Sequence, residues 1–384
     1  MPEARGTVIH SARLVDGGAV HADAWVRFER EHVAAVGTGD SWRSAGHQHS
    51  DDTIVDASGH WLTPGFVDIH GHGGGGVSYD DGAEQILTAR ALHRAHGTTR
   101  AVISLVTAPL DALATRVALI AELCAAHPDI LGSHLEGPFL DPGHKGAHDA
   151  SQLREPDEAA VALLIEAASG TLCQVTIAPE LPGGMAAVAQ LRAAGVVPAI
   201  GHTDADFGGA QAAINAGAGL LTHAFNAMRG LHHRDPGPVA AATHDPRLVL
   251  EIIADGVHVH PEVVRMVFAA APGRVALVTD AMAAAGASDG HYDLGSLGVD
   301  VVDGVARLSD GGAIAGSTLT QDAALRWCVE TVGIDVASAV TALTETPARA
   351  VGRGDDLGRL VPGFAADAVL LDDALRVAGV WCDG

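Results

Sequence analysis

The segment Pro64-Gly65-Phe66-Val67-Asp68-Ile69-His70-Gly71-His72, followed by four glycines, sets two imidazoles at the end of a short apolar run with one acid in it. Such a run suits a buried strand of a parallel sheet. Residues two apart on an extended chain point the same way, so His70 and His72 can face one ion while Gly71 keeps the backbone close. Polar residues recur at the ends of other apolar runs: Glu136 after 130–135, His202 after 196–201, His223 at the end of 219–223, His258 after 248–254 and Asp280 after 275–279. Imidazole nitrogen and carboxylate oxygen are the ligands of catalytic zinc and of iron, cobalt, nickel or manganese sites, and no Cys-x-x-Cys pair competes with them. The spacing allows two ions, one held by Glu136, His202 and His223, the other by His70 and His72, with Glu136 bridging.

Elements that could hold these residues are legible along the chain. Apolar runs near 66–70, 100–106, 130–135, 172–178, 196–201, 219–223, 248–254 and 275–279 make eight strands. Between several of them lie Ala/Leu-rich stretches at helical spacing, 83–96, 110–127, 156–168 and 185–194, with Asp111 and Asp157 near helix starts, where a carboxylate is favoured. Alternation of this kind predicts an α/β fold, a TIM (β/α)8 barrel over 56–357, whose active site forms at the C-terminal strand ends. Helices over 320–332 and 336–343 would finish the wall, and 286–316 reads as a Gly/Asp-rich insertion. Short β-like runs at 7–15, 24–29 and 32–36, with Gly17-Gly18 as a turn, match runs at 367–371 and 377–381 near the other end. The two chain ends, 1–55 and 358–384, are expected to form a small β-sandwich domain.

Composition limits the partners. With 48% hydrophobic and 18% charged residues in 384, the chain can bury a large core. A net charge of −24 argues against nucleic acid and anionic membrane, although a small anion can still bind where arginines are local. Residues 1–6 lack a basic and apolar leader pattern and no apolar run approaches about 20 residues, so a soluble cytoplasmic protein is expected. Cys124, Cys173, Cys328 and Cys382 are far apart and read as packing residues, and His10, His21, His47, His49, His93 and His96 are placed on the surface without a role.

Several motifs in order resemble the N-acetylglucosamine-6-phosphate deacetylase family of the amidohydrolase superfamily: Pro64–Asp68 with His70 and His72, His134-Leu135-Glu136-Gly137-Pro138-Phe139, Gly201-His202-Thr203-Asp204, His223-Ala224-Phe225-Asn226-Ala227-Met228, Asp255-Gly256-Val257-His258, Thr279-Asp280-Ala281-Met282 and Gly316-Ser317-Thr318-Leu319-Thr320. The resemblance covers nearly the whole chain. It implies that Glu136, His202 and His223 bind a metal common to the family, that His70 and His72 make a second site possible, and that Asp280 lies near it. Other amidohydrolase branches bridge their ions with a carboxylated lysine on a strand, whereas the sole lysine here, Lys145, lies in a loop beyond the third strand. The implied reaction is removal of the acetyl group from N-acetylglucosamine 6-phosphate. A bound metal lowers the pKa of water from about 15.7 towards 7, and Asp280 can act as general base and then acid, a role worth about 10² to 10⁴ in rate.

By the same resemblance His148 contacts the acetyl carbonyl or sugar hydroxyls, and Asn226, Ala227, Arg234 and His258 form the sugar-phosphate pocket, with Arg234 suited to a bidentate contact. A homodimer with a pocket completed across the interface is implied. The glycines at 143 and 146 beside Lys145 suggest a hinged lid that brings His148 to the substrate and uses the lysine charge. Competing readings are an amidohydrolase for an unphosphorylated acetamido sugar or an N-acyl amino acid, and a non-catalytic barrel scaffold.

Overall fold

The computed structural model describes residues 6–44 and 51–383; His47, His49 and most of the 1–6 stretch lie outside them. Eight parallel strands form one sheet in the order Val275–Val278, Val249–Ile253, Leu220–Leu221, Val197–Ile200, Leu172–Ile177, Ile130–Glu136, Thr98–Val106 and Phe66–Asp68. This is the nearly closed barrel expected from the eight apolar runs. Its ring closes just beyond the outer strands, where Asp280 N–H donates to His70 O (2.8 Å) and His72 N–H donates to Ala281 O (2.7 Å). Asp68 adds a side-chain clasp at the same seam: Oδ2 accepts from Thr279 Oγ1 at 2.6 Å, and Oδ1 accepts from the backbone N–H groups of His70 and Thr279 at 3.3 Å each.

Helices Ala83–Ala95, Leu110–Ala126, Glu158–Ala167 and Gly184–Ala193 lie within two residues of their expected bounds. Asp157 caps its helix by accepting from Ala160 N–H, while Asp111 sits in a first turn, where its charge opposes the positive end of the dipole. Three helices lie outside the set expected from the sequence: Phe207–Ala216, Gly237–His244 and Pro261–Ala270. The first opens on Phe-Gly-Gly and the second on Gly-Pro, both poor as helix formers, so packing rather than propensity sets them. The insertion is a three-stranded antiparallel meander, Gly290–Leu294, Leu297–Val302 and Val305–Leu308, whose inner residues pack on Val106 and Met282–Ala284. His93, expected at the surface, is 2% exposed because its turn of Ala83–Ala95 faces inward.

Near the chain ends, a seven-stranded sheet runs Val377–Trp381, Ala368–Leu371, Trp61–Pro64, Gly6–Asp16, Ala19–Glu29, His32–Thr38, with Thr53–Asp56 also paired to Gly6–Asp16. Trp61–Pro64, assigned by sequence to the barrel, is thus a strand of this sheet. Gly17 and Gly18 both have positive φ (59° and 74°), the requirement of a two-residue turn whose twist matches the strands it joins. Ile9, Val26, Phe28, Leu62 and Leu370 from four of these strands share one core. The described residues fall into two compact units, one within Met1–Val67, His93–Arg100 and Gln321–Gly384, the other Asp68–Leu92 with Ala101–Thr320. Cys124, Cys173, Cys328 and Cys382 are free thiols.

Within the first unit Arg100 is buried against Asp367, with Nη2 3.0 Å from Oδ1, and Asp383 reaches the same guanidinium. A buried charge left without its partner is costly. Asp367→Ala should therefore lower the unfolding free energy by about 3 kcal/mol, read as a fall in the urea midpoint at constant m-value.

Candidate metal centre and its cavity

Each candidate ligand stands at or just past the C-terminal end of a barrel strand. His202, His223 and Asp280 adopt positive φ (47°, 25° and 46°), which turns their side chains off the line of the strand toward the axis. Left-handed backbone at a residue with a Cβ costs of order 1–3 kcal/mol and persists only where the surroundings impose it. Glu136 is the centre of the result. Its Oε1 lies 3.0 Å from both His202 Nε2 and His223 Nε2, and its Oε2 lies 3.0 Å from His72 Nε2. His70 Nε2 and His72 Nε2 are 3.3 Å apart, and Asp280 Oδ1 sits 3.5 and 3.3 Å from them.

Proton positions decide whether these groups fit a cation. His202 Nδ1 lies 2.9 Å from the carbonyl of His144, which can only accept, so that nitrogen carries hydrogen and Nε2 of the neutral ring is a bare lone pair. His70 Nδ1 faces Glu251 Oε2 at 2.9 Å, with the same consequence. His202 Nε2 then meets His223 Nε2 at 3.0 Å, a separation that either a hydrogen on the His223 nitrogen or a cation beside the two would satisfy. All of these residues are buried. The donor set therefore fits one or two divalent metal ions of the transition series or zinc.

The electrostatics agree. Burial disfavours charge on His72, yet hydrogen bonds to Asp280 and Glu136 lift it to about 9. Burial works against His70 in the same way, and the carboxylates of Glu136, Glu251 and Asp280 still hold it well above its ordinary value. Burial would raise Glu136 and Asp280, but His70 and the neighbouring imidazoles outweigh it and keep both below the ordinary range. His202, by contrast, is pushed down to about 4 by burial. The carboxylates are thus ionised and draw in positive charge. Beneath them His134, kept neutral by burial, bridges Ser104 and Thr176 at 2.9 Å each, and Thr176 meets Thr222 at 2.9 Å.

A cavity of about 380 Å³ opens over the cluster, lined by His72, Glu136, His148, His202, His223, Asn226, Ala227, His258 and Asp280 among the sequence-derived candidates. His148 Nδ1 accepts from Thr107 N–H at 3.4 Å, so its Nε2 carries the hydrogen, 3.4 Å from Glu136 Oε2. His258 is held above its ordinary value: burial lowers it, but the hydrogen bond to Asp255 at 2.6 Å prevails.

Three candidates do not line the cavity, of which His70 is fully buried within the cluster. Arg234 is exposed in the 229–236 loop, and Lys145 turns its ammonium to the carbonyls of Gly146 and His148 at 3.4 and 3.3 Å. The 137–151 loop, expected as a hinged lid, is bonded in this structure to a candidate ligand: Asp141 N–H donates to His202 O, and His144 O receives His202 Nδ1–H. A Cβ on Gly146 would stand 3.1 Å from His202 Cε1. Sequence reasoning missed Glu251 and the insertion residues Leu294, Ala313 and Ile314, which wall the cavity. Glu251 had a signal, a lone acid inside the apolar run Val249–Ile253; the insertion residues had none.

Comparison with known proteins gives a consistent result. Residues 61–384 match the profile described as "Amidohydrolase family". The chain is 40% identical over 336 residues to N-acetylgalactosamine-6-phosphate deacetylase of Escherichia coli O157:H7, covering 86% of this chain and 89% of that one. It is 36% identical over 329 residues to N-acetylglucosamine-6-phosphate deacetylase of Vibrio furnissii, with 84% and 82% covered. Among solved structures it resembles, at 40% identity, TM-score 0.92 and 99% of both chains, a mutant N-acetyl-D-glucosamine-6-phosphate deacetylase of Mycobacterium smegmatis in complex with N-acetyl-D-glucosamine-6-phosphate.

The donor geometry yields a test. His70→Ala should reduce bound metal by about one ion per chain, whereas Glu136→Ala, which removes the carboxylate common to both groups, should impair both sites. Metal analysis of the two purified variants checks this, and equal stoichiometry would contradict a bridging Glu136.

Proposed function

The chain belongs to the amidohydrolase family, and from that premise we propose that it is a metal-dependent deacetylase converting N-acetylglucosamine 6-phosphate to glucosamine 6-phosphate and acetate. The observation that carries this reading is the ionised Asp280 carboxylate beside a five-residue imidazole–carboxylate cluster at the floor of a cavity sized for one small molecule. Glu136, His202 and His223 would hold one ion and His70 with His72 a second. Zinc is our choice; iron, cobalt, nickel or manganese would accept the same donors.

A bound divalent ion supplies Lewis acidity that polarises the amide carbonyl and acidifies a water molecule. Asp280 receives the proton of that water as oxygen attacks the acetyl carbon. It passes the proton to nitrogen as the C–N bond breaks, leaving acetate and a free amine. His148 presents its Nε2 hydrogen to the carbonyl oxygen as negative charge builds there. Asn226, Ala227 and His258 bound the sugar, with Asp255 favouring the protonated form of His258.

Charge matters for the phosphate. No lysine or arginine lines the cavity among the described residues, so histidine alone meets the anion from within one chain. We assign the missing charge to Arg234 of a second subunit in a homodimer, which agrees with its exposed position. Among the described residues no helix is long and apolar enough to cross a membrane. We place the enzyme in the cytoplasm, where an impermeant sugar phosphate is retained.

The name of the Escherichia coli relative favours a second reading, in which the 4-epimer N-acetylgalactosamine 6-phosphate is the substrate. Turnover of both phosphorylated epimers and of unphosphorylated N-acetylglucosamine separates these readings. The glucosamine phosphate should give the highest kcat/KM, and loss of phosphate should lower it by roughly 100-fold or more, as expected when a charge-assisted bidentate contact is lost. Equal rates with and without phosphate would refute both. Asp280→Asn should retain fold and metal and lose about 10² to 10⁴ in kcat, because an amide cannot carry the proton. Mixing Arg234→Ala with Asp280→Asn should restore activity above the sum of the two, since each mixed dimer would regain one complete site.

A further inference from the structure

Glu251 is fully buried in the strand Val249–Ile253, with Leu250 and Ile252 on either side of it. A carboxylate there must be desolvated, which an apolar side chain would avoid, so its partners are the guide to its role. Oε2 accepts from His70 Nδ1 at 2.9 Å and from the backbone N–H of His223 at 3.2 Å. The main-chain oxygen of Glu251 accepts from Ala224 N–H at 2.8 Å. On the other side Gln174 Nε2 approaches Oε1 at 3.4 Å while donating to Ile69 O at 2.9 Å.

These contacts do two things. On His70 the carboxylate fixes the ring with hydrogen on Nδ1, leaves Nε2 as the donor and raises its basicity, the carboxylate–histidine arrangement that typically changes metal affinity 10–100-fold. At His223, whose φ of 25° is unfavourable for a residue with a Cβ, the side chain and main chain of Glu251 hold two successive N–H groups in place. One oxygen atom therefore serves the His70–His72 group and the Glu136–His202–His223 group at once.

We propose that Glu251 is a positioning residue that sets the affinity of the His70–His72 group for its ion and, through the His223 backbone, ties that group to the geometry of the other. The inference rests on the reading that both groups hold ions.

The test uses full-length protein stripped of metal by chelation and titrated with Co²⁺, following visible absorption and ions bound per chain. Glu251→Gln keeps an oxygen for both N–H donors but removes the charge. It should bind the His70–His72 ion about 10–100-fold more weakly than the parent while the other ion's dissociation constant stays within about threefold. Glu251→Ala, which leaves both donors without an acceptor, should weaken both ions. Adding Glu251→Gln to His70→Ala should change the remaining ion little, because the ring it acts on is already gone. Parental constants for both ions in Glu251→Gln would overturn the inference. So would parallel weakening of both ions together with a lower melting temperature of the stripped protein, the signature of a merely structural residue. If parent and His70→Ala bind the same number of ions, the two-ion reading fails and takes the inference with it; the other two outcomes leave that reading standing.

Discussion

A buried carboxylate surrounded by imidazoles governs this molecule. Glu136 has His72, His202 and His223 nitrogens at 3.0 Å and His70 and His148 nitrogens at 3.5 and 3.4 Å. Lone pairs and negative charge gathered among buried groups are unstable unless positive charge is supplied. Protons can supply it, which is why His70 and His72 are held above their ordinary values; a divalent ion supplies more. The surrounding features are arranged to keep these donors convergent rather than to let them separate.

Three devices maintain that convergence. The barrel closes at the ligands themselves, by backbone bonds between 70 and 280 and between 72 and 281, with Asp68 clasping Thr279 in the same seam. Positive φ at His202, His223 and Asp280 aims side chains that an extended strand would send elsewhere. A lower layer of Ser104, His134, Thr176 and Thr222 satisfies its own hydrogen bonds, so it does not draw the ligands downward. The Gly146 loop adds a fourth constraint from above by holding His202 Nδ1, which makes the loop part of the site's support.

The overall charge of −24 and the proposed anionic substrate are compatible because the field in a pocket is set nearby. Among the described residues the basic groups lining the cavity are histidines, and the contact with Asp255 holds His258 above its ordinary value. Arg234 is exposed in the 229–236 loop, where the proposed homodimer would make use of it.

By itself the sequence determined the barrel and the kinds of group at its mouth. Parallel strands buried on both faces are written as continuous apolar runs, and the residue that ends such a run must stand at the strand's end, so His70, His72, Glu136, His202, His223 and Asp280 were legible as candidates. What it could not state is distance. Glu251 was one acid in an apolar run until folding brought it to His70, 181 residues away, and to the N–H of His223. Lys145 stood out by rarity, but rarity carries no geometry, and its ammonium turns to loop carbonyls. The helix Phe207–Ala216 and the cavity wall at Leu294 and Ile314 also came from tertiary packing, because local propensity there is weak and long-range burial decides. The periodicity of burial is local and can be read along the chain, whereas the pairing of one buried polar group with another depends on loops and crossovers whose closure no local pattern encodes.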